Sequence, residues 1–227
     1  RFCADIVLVI GGQLSILPST AQLGALPAWT RLRNQPSTYP RVFVEVAGER
    51  GISRAQVLAT AGLPGDLLDD PAGKLSLLEC WQIFAAVLEL VDDPAFGFDT
   101  GQRLPLTAHG SLGYALMCAA TPRQAIEVLE RFWHLRGRGV SMTFEEDDDG
   151  LFFCVAPEVA MPTVLRDFLF HSMLTSMYRA MLFMMPTMAT NNEIWFESAE
   201  PAGFDASKLA LPPVRFAVPR SGISLRG

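Results

Sequence analysis

The stretch Val140-Ser141-Met142-Thr143-Phe144-Glu145-Glu146-Asp147-Asp148-Asp149-Gly150-Leu151-Phe152-Phe153-Cys154-Val155 decides the fold class. Val140, Met142 and Phe144 alternate with Ser141 and Thr143, and Leu151, Phe153 and Val155 alternate again beyond the acidic run. A period of two on both sides of a turn predicts a β-hairpin with one apolar face. The rhythm changes just after it. Residues 163–185 are apolar almost all round, which predicts a long helix at the centre of a domain.

Toward the N-terminus, helix starts recur. Ser53-Arg54-Ala55-Gln56 and Ser76-Leu77-Leu78-Glu79 have capping-box form, and Thr121-Pro122-Arg123-Gln124 adds proline at the first helical position. These predict helices over 53–61, 76–91 and 121–135. Leu77, Leu78, Trp81, Phe84, Ala85 and Leu88 supply helical spacing in the second, and Ala125, Ile126, Leu129, Phe132 and Trp133 in the third. A short apolar helix is expected over 111–119, opened by His109-Gly110. Toward the C-terminus, Ile194-Trp195-Phe196, Val214-Arg215-Phe216 and Ile223-Ser224-Leu225 are short strand candidates. The reading is α+β: a helix-rich domain with a small antiparallel sheet and a long central buried helix.

Residues 1–40 differ from the rest. The β-branched run Ile6-Val7-Leu8-Val9-Ile10, a Gly11-Gly12 turn and a Pro/Ser/Gln-rich stretch predict an N-terminal extension or arm, with the domain over 41–227. Residues 4–12 are apolar but too short to span a membrane, and His171 and Arg179 interrupt the apolar stretch 168–185. A membrane partner is therefore not expected.

The 227 residues carry 50% hydrophobic and 19% charged residues, enough apolar material for a sizeable core. The net charge is -6 and the pI about 5.1. DNA binding draws most of its affinity from neutralised phosphates, so this chain is not expected to grip DNA by itself. Cys3, Cys80, Cys118 and Cys154 lie far apart, with no CxxC and no zinc spacing, and read as buried, reduced thiols. No metal and no cofactor is expected.

No GxSxG, HExxH, GxxxxGK[ST] or GxGxxG occurs. The run 145–150 lacks the alternating ligands of a calcium loop and reads as a solvated turn. Residues 51–70 suggest two short helices around Ala61-Gly62. The second would read Gly65-Asp66-Leu67-Leu68-Asp69-Asp70, too acidic for a recognition helix, so a packed corner is expected. Asp167, His171, Thr175 and Arg179 share one face of the long helix, flanked by Ser172 and Ser176. That stripe either lines a pocket or forms the solvated edge of a core helix. The Met-rich and aromatic set around it suits core or pocket alike.

The block Gly101-Gln102-Arg103-Leu104-Pro105-Leu106-Thr107-Ala108-His109-Gly110-Ser111-Leu112-Gly113-Tyr114-Ala115-Leu116, preceded by Phe96-Gly97-Phe98 and followed by Ala120-Thr121-Pro122-Arg123-Gln124-Ala125-Ile126, resembles a known signature. It is that of the N-terminal effector-binding (arabinose-binding-type) domain of AraC/XylS-family transcriptional regulators. Gly62-Leu63, Leu67-Leu68-Asp69-Asp70-Pro71 and Pro213-Val214-Arg215-Phe216 resemble its opening and closing segments. The likeness covers about residues 41–225; the first 40 residues depart from it.

The resemblance implies a cytoplasmic, non-enzymatic, dimeric sensor for a small amphipathic or apolar effector. DNA would be reached only through a C-terminal helix-turn-helix half, expected to be absent from this chain. The helix-rich pattern argues against a β-barrel. For the effector site the candidates are His109, Tyr114, Trp133, Phe153, His171, Thr175, Trp195 and Arg215, with His109 and Arg215 giving polar recognition and the aromatics area. An effector between the long helix and the sheet would favour one arrangement of the module over another. Two alternatives stand beside it: a small hydrolase or transferase using His171 with Asp167, and a ligand-free dimerisation module.

Overall fold

Side-chain caps start three of the helices. The computed structural model describes residues 9–10, 13–14, 16, 20–148, 150–184 and 191–226. The helices are α1 (Thr20–Ala25), α2 (Thr38–Gly48), α3 (Arg54–Thr60), α4 (Leu77–Val91), α5 (Phe96–Arg103), α6 (Gly110–Met117), α7 (Pro122–Phe132) and α8 (Thr163–Met184). Ser53 and Ser76 make complete capping boxes with Gln56 and Glu79, and the Thr121 hydroxyl accepts from the Gln124 N–H. A short 3-10 turn, Trp133–Leu135, extends α7.

The strands are β1 (Val9–Ile10), β2 (Gln13–Leu14), β3 (Gln35–Pro36), β4 (Lys74–Leu75), β5 (Val140–Asp147), β6 (Gly150–Pro157), β7 (Glu193–Trp195), β8 (Val214–Arg215) and β9 (Ser221–Arg226). β5 and β6 form the hairpin, with Phe144 opposite Phe153 and ring centroids 4.9 Å apart. The main sheet has five strands in the order β5-β6-β9-β7-β8. It is antiparallel except at its far edge, where β7 and β8 run parallel.

One expectation about the elements is overturned, and two helices, α2 and α5, have no clear signal in the sequence. No helix forms over 65–70: Pro64, Gly65 and three aspartates favour turns, and Leu68 plugs the core from them. Helix α2 went unread because Val42, Val44 and Val46 alternate like a strand, yet burial of Phe43, Val44 and Val46 makes it helical. Helix α5 went unread because two glycines weaken its propensity. Residues 6–8 of the β-branched run, Cys3 and Met185 lie outside the described residues.

Residues just before α2 are tied to the body. Trp29 packs on the core, Thr30 is fully buried, and β3 pairs with β4. Arg33 meets Glu79 at 2.5 Å. One core gathers Phe43, Leu58, Trp81, Phe84, Phe96 and Phe168 between α2, α3, α4 and α8. A second lies between α8 and the sheet, with Phe153, Phe170, Leu174, Ile194, Phe196 and Ile223. Leu112, Leu116, Ala125 and Trp133 make a smaller third between α6 and α7. Helix α8 touches all three, which is why its sequence is apolar all round. Among the described residues no helix is long and apolar enough to cross a membrane.

Candidate functional site

Helix α8 is held in place by a close seam with α5. A Cβ on Gly97 would stand 2.8 Å from the Phe168 carbonyl oxygen and from His171 Cβ; one on Gly101 would stand 2.5 Å from the Ser172 oxygen and 2.6 Å from Thr175 Cβ. Only glycine lets the two backbones come this near. His171 and Thr175 are spent in the seam: both are buried. Ser172 and Ser176, one position on, turn their side of the helix toward a cavity.

That helix-side cavity holds about 100 Å³. Its walls come from α2 (Tyr39, Phe43), α4 (Cys80, Trp81, Phe84), the 133–140 segment (Trp133, Arg138, Val140) and α8 (Leu169, Ser172, Met173, Ser176). Most of the wall is apolar, with a few polar groups set into it, the usual make-up of a small-molecule site. Trp81 Nε1 and Ser172 Oγ are both buried with no partner in the protein. A buried donor without a partner is costly, and native structures hold few of them. The indole of Trp133, in contrast, donates to the Val140 carbonyl at 2.8 Å.

His109 stands at one end of this cavity. Its Nδ1 lies 2.8 Å from the Tyr39 hydroxyl. Burial first, and the charge of Arg136 second, hold the imidazole neutral, its pKa pushed down to about 4. Burial pushes the Tyr39 phenol up to about 12, against the pull of Arg136. Arg136 itself donates to the Ala108 carbonyl at 2.6 Å and lies 5.6 Å from the Tyr39 ring centroid. Burial pushes the Cys80 thiol up, so it lines the wall as an inert apolar group.

A second, sheet-side cavity, also of about 100 Å³, lies between α8, α6, α7 and the sheet. Phe144, Phe153, Ile223 and Leu225 close it from the sheet, and Met177, Met181 and Met184 from α8. His109 lines this cavity as well.

The candidate residues therefore part company. His109, Trp133 and Phe153 reach cavities. His171 is buried in the seam; its Nε2 pairs with Ser198 Oγ at 2.9 Å, and burial pushes its pKa down to about 3. Arg166 holds Asp167 at 2.8 Å, and His171 Nδ1 has no hydrogen-bond partner in the protein, so no hydrogen bond joins this carboxylate to the His171 ring. Thr175 is fully buried against Gly101. Tyr114 is exposed on α6, away from both cavities. Trp195 packs tilted against Phe152, ring centroids 5.2 Å apart, and alternation places Phe152 on the sheet face opposite Phe153 and α8. Arg215 is exposed and pairs with Glu193 at 2.7 Å beside it. The stripe on α8 is thus divided: His171 and Thr175 close the seam with α5, Ser172 and Ser176 beside them line the helix-side cavity, and Arg179 is exposed. The sequence carries no signal for Tyr39 or Arg138 at the cavity, and places Trp81 only in an aromatic set that suits core or pocket alike. Trp81 sits at core spacing on α4, and nothing in its spacing separates a cavity wall from a packed core. Among the described residues no group of three His, Cys, Asp or Glu could hold a metal ion.

The ornithine utilization regulator of Pseudomonas aeruginosa is 32% identical over 113 residues, covering 50% of this chain and 33% of the relative. An uncharacterized HTH-type transcriptional regulator of Mycobacterium tuberculosis is 38% identical over 131 residues, covering 57% of this chain and 38% of the relative. The chain thus spans about a third of the length of these curated relatives, both named as regulators. The crystal structure of the transcriptional regulator CdpR from Pseudomonas aeruginosa superposes with a TM-score of 0.50 at 15% identity, covering 82% of this chain and 53% of that one, a likeness of fold. Residues 51–227 match the family described as the N-terminal arabinose-binding domain of AraC transcription regulators, and the chain belongs to that family.

Proposed function

We propose that the chain is the effector-sensing domain of a cytoplasmic transcription regulator, and that a small molecule in the helix-side cavity changes how a helix-turn-helix half engages DNA. The observation that carries this is the pair of unpartnered buried groups, Trp81 Nε1 and Ser172 Oγ, on the wall of one apolar cavity. A guest that accepts from both would remove their cost and bury apolar area in the same step. The curated relatives' names and lengths support the regulatory part of the reading.

The chain is a non-enzyme in this reading. The histidine a hydrolase would need is walled into the seam rather than set in a cleft. Self-association with a second copy belongs to the same proposal, since a two-fold regulator meets two DNA half-sites.

Native mass spectrometry of the purified chain tests both parts, together with thermal shifts across a library of metabolites. A retained or stabilising small molecule, with a dimer in the spectrum, is the expected result. A monomer that no compound in the library stabilises refutes the sensor reading.

A further inference from the structure

The two cavities are consecutive along one side of α8. Leu169, Ser172, Met173 and Ser176 line the helix-side cavity; Met177, Ala180, Met181 and Met184 line the sheet-side one. From Leu169 to Met184 the helix rises about 22 Å. His109 lines both cavities and stands between them, held there by Tyr39.

The chambers differ in chemistry. In the sheet-side cavity every lining residue except His109 is aliphatic, aromatic or methionine. The helix-side cavity carries the unpartnered Trp81 Nε1 and Ser172 Oγ, and also Arg138. Arg138 lies with its guanidinium carbon 4.1 Å from the Trp29 ring centroid. Among the described residues Arg138 meets no carboxylate; Arg31, Arg41, Arg131, Arg136 and Arg179 share that, but Arg138 is the arginine that lines this cavity. The chain carries a net charge of -6, so acidic partners are plentiful elsewhere. A guanidinium stacked on an aromatic face, in a cavity wall that also includes Trp81 and Ser172, is suited to a carboxylate, which accepts from several donors at once.

We infer that the effector is an elongated amphipathic anion, a carboxylate on an unbranched apolar chain. Its carboxylate lies with Arg138, Ser172 and Trp81, and its chain passes His109 into the sheet-side cavity. This rests on the effector reading above and names the chemistry of its site. Passage needs the His109 ring to swing from Tyr39, which opens the partition and joins the chambers. The methionines of the far chamber, unbranched and adaptable, suit a chain whose end is not fixed by hydrogen bonds.

Isothermal titration calorimetry of the whole chain with butanoate, octanoate and dodecanoate, each kept below its micelle concentration, tests this. Affinity should rise with chain length, by up to about fourfold per buried methylene. Ala180→Phe, which fills the sheet-side cavity from α8, should erase the gain from octanoate to dodecanoate and leave butanoate unchanged. Ile126→Trp fills the same cavity from α7 and guards against a folding failure of the first variant. Arg138→Gln should weaken dodecanoate about tenfold and leave 1-dodecanol unaffected. Affinity independent of chain length, or a length dependence untouched by both filling variants, overturns the two-chamber assignment. So does failure of every carboxylate to bind; a different guest found by mass spectrometry would then leave the effector reading standing, and an empty chain there would remove both.

Discussion

Gly101→Ala tests the seam that fixes α8. Its Cβ would stand 2.5 Å from the Ser172 carbonyl oxygen and 2.6 Å from Thr175 Cβ. Ordinary contact needs about 3.5 Å, so α5 and α8 must part by about 1 Å. Neither obstacle is the loose end of a flexible side chain. Overpacking of this kind costs typically about 1–3 kcal/mol, and two rigid contacts place this site at the upper end. Helix propensity works the other way, since alanine in place of glycine gains about 1 kcal/mol. The net expectation is a loss of about 2 kcal/mol, or roughly 4–8 °C in Tm for a chain of this size. Gly48→Ala is the control. Gly48 is also helical, with nothing within 4 Å of its added Cβ, and should gain up to about 1 kcal/mol. Urea unfolding followed by far-UV circular dichroism reads both. A Gly101→Ala chain as stable as Gly48→Ala would refute the close seam and the fixed position of α8 that the cavities depend on.

Ser172→Ala removes a buried hydroxyl that has no protein partner, so the empty chain should hold its stability or gain up to about 1 kcal/mol, while stabilisation by a bound effector falls; a loss above about 1 kcal/mol in urea melts would mean the hydroxyl already has a structural role. Stability should fall on acidification. His109 and His171 are held neutral in the fold, at about 4 and about 3 against an ordinary 6.5, so the unfolded chain binds more protons between those values. Their contribution is complete above about pH 6.5 and is lost at up to about 1.4 kcal/mol per pH unit for each as pH falls toward the folded values; urea midpoints that stay level from about pH 7 to about pH 5 would contradict this. Ser76→Ala should cost about 1 kcal/mol, because it removes the hydroxyl that accepts from the Glu79 N–H at 3.1 Å and leaves only the other half of the capping box, in which the Glu79 carboxylate accepts from the Ser76 N–H. Cys118, expected to be buried but exposed at the C-terminal end of α6, should react with a disulfide reagent well before Cys80, whose thiol is buried and pushed up; the reverse order in peptide mapping would place Cys80 wrongly.

Elements with strong local signals were legible in the sequence. The capped helices, the hairpin and α8 all appear where caps, period and apolarity place them. What failed had weak or conflicting local chemistry. The valines of α2 favour a strand by alternation, and only the burial of one helical face overrides them. The glycines of α5 read as helix breakers, although their spacing of four is what lets the helix lie against α8. The site was less legible than the fold for a related reason. Polar residues on α8 drew attention to the Asp167–His171–Thr175 face, but His171 and Thr175 close on α5 and Asp167 pairs with Arg166. The groups that reach the cavities include Trp81, Ser172 and Tyr39, each contributed by a different helix, so no spacing along one segment could bring them together.

Helix α8 meets different neighbours around its circumference, and this explains a sequence that otherwise has no amphipathic face. Phe170, Leu174 and Tyr178 face the sheet, His171 and Thr175 close on α5, and Leu169, Met173 and Met177 border the cavities. The side against α5 has no slack, because glycine is already the smallest residue. The side toward the cavities is built of long, adaptable chains around open volume. A guest filling that volume therefore repacks methionines before it can move the helix backbone. Displacing α8 itself would require opening the seam with α5. Filling the cavities and shifting α8 are thus separate steps with separate costs, and Gly101→Ala, which loosens only the second, should make them separable in a binding measurement: weaker helix anchoring with the cavity walls chemically unchanged.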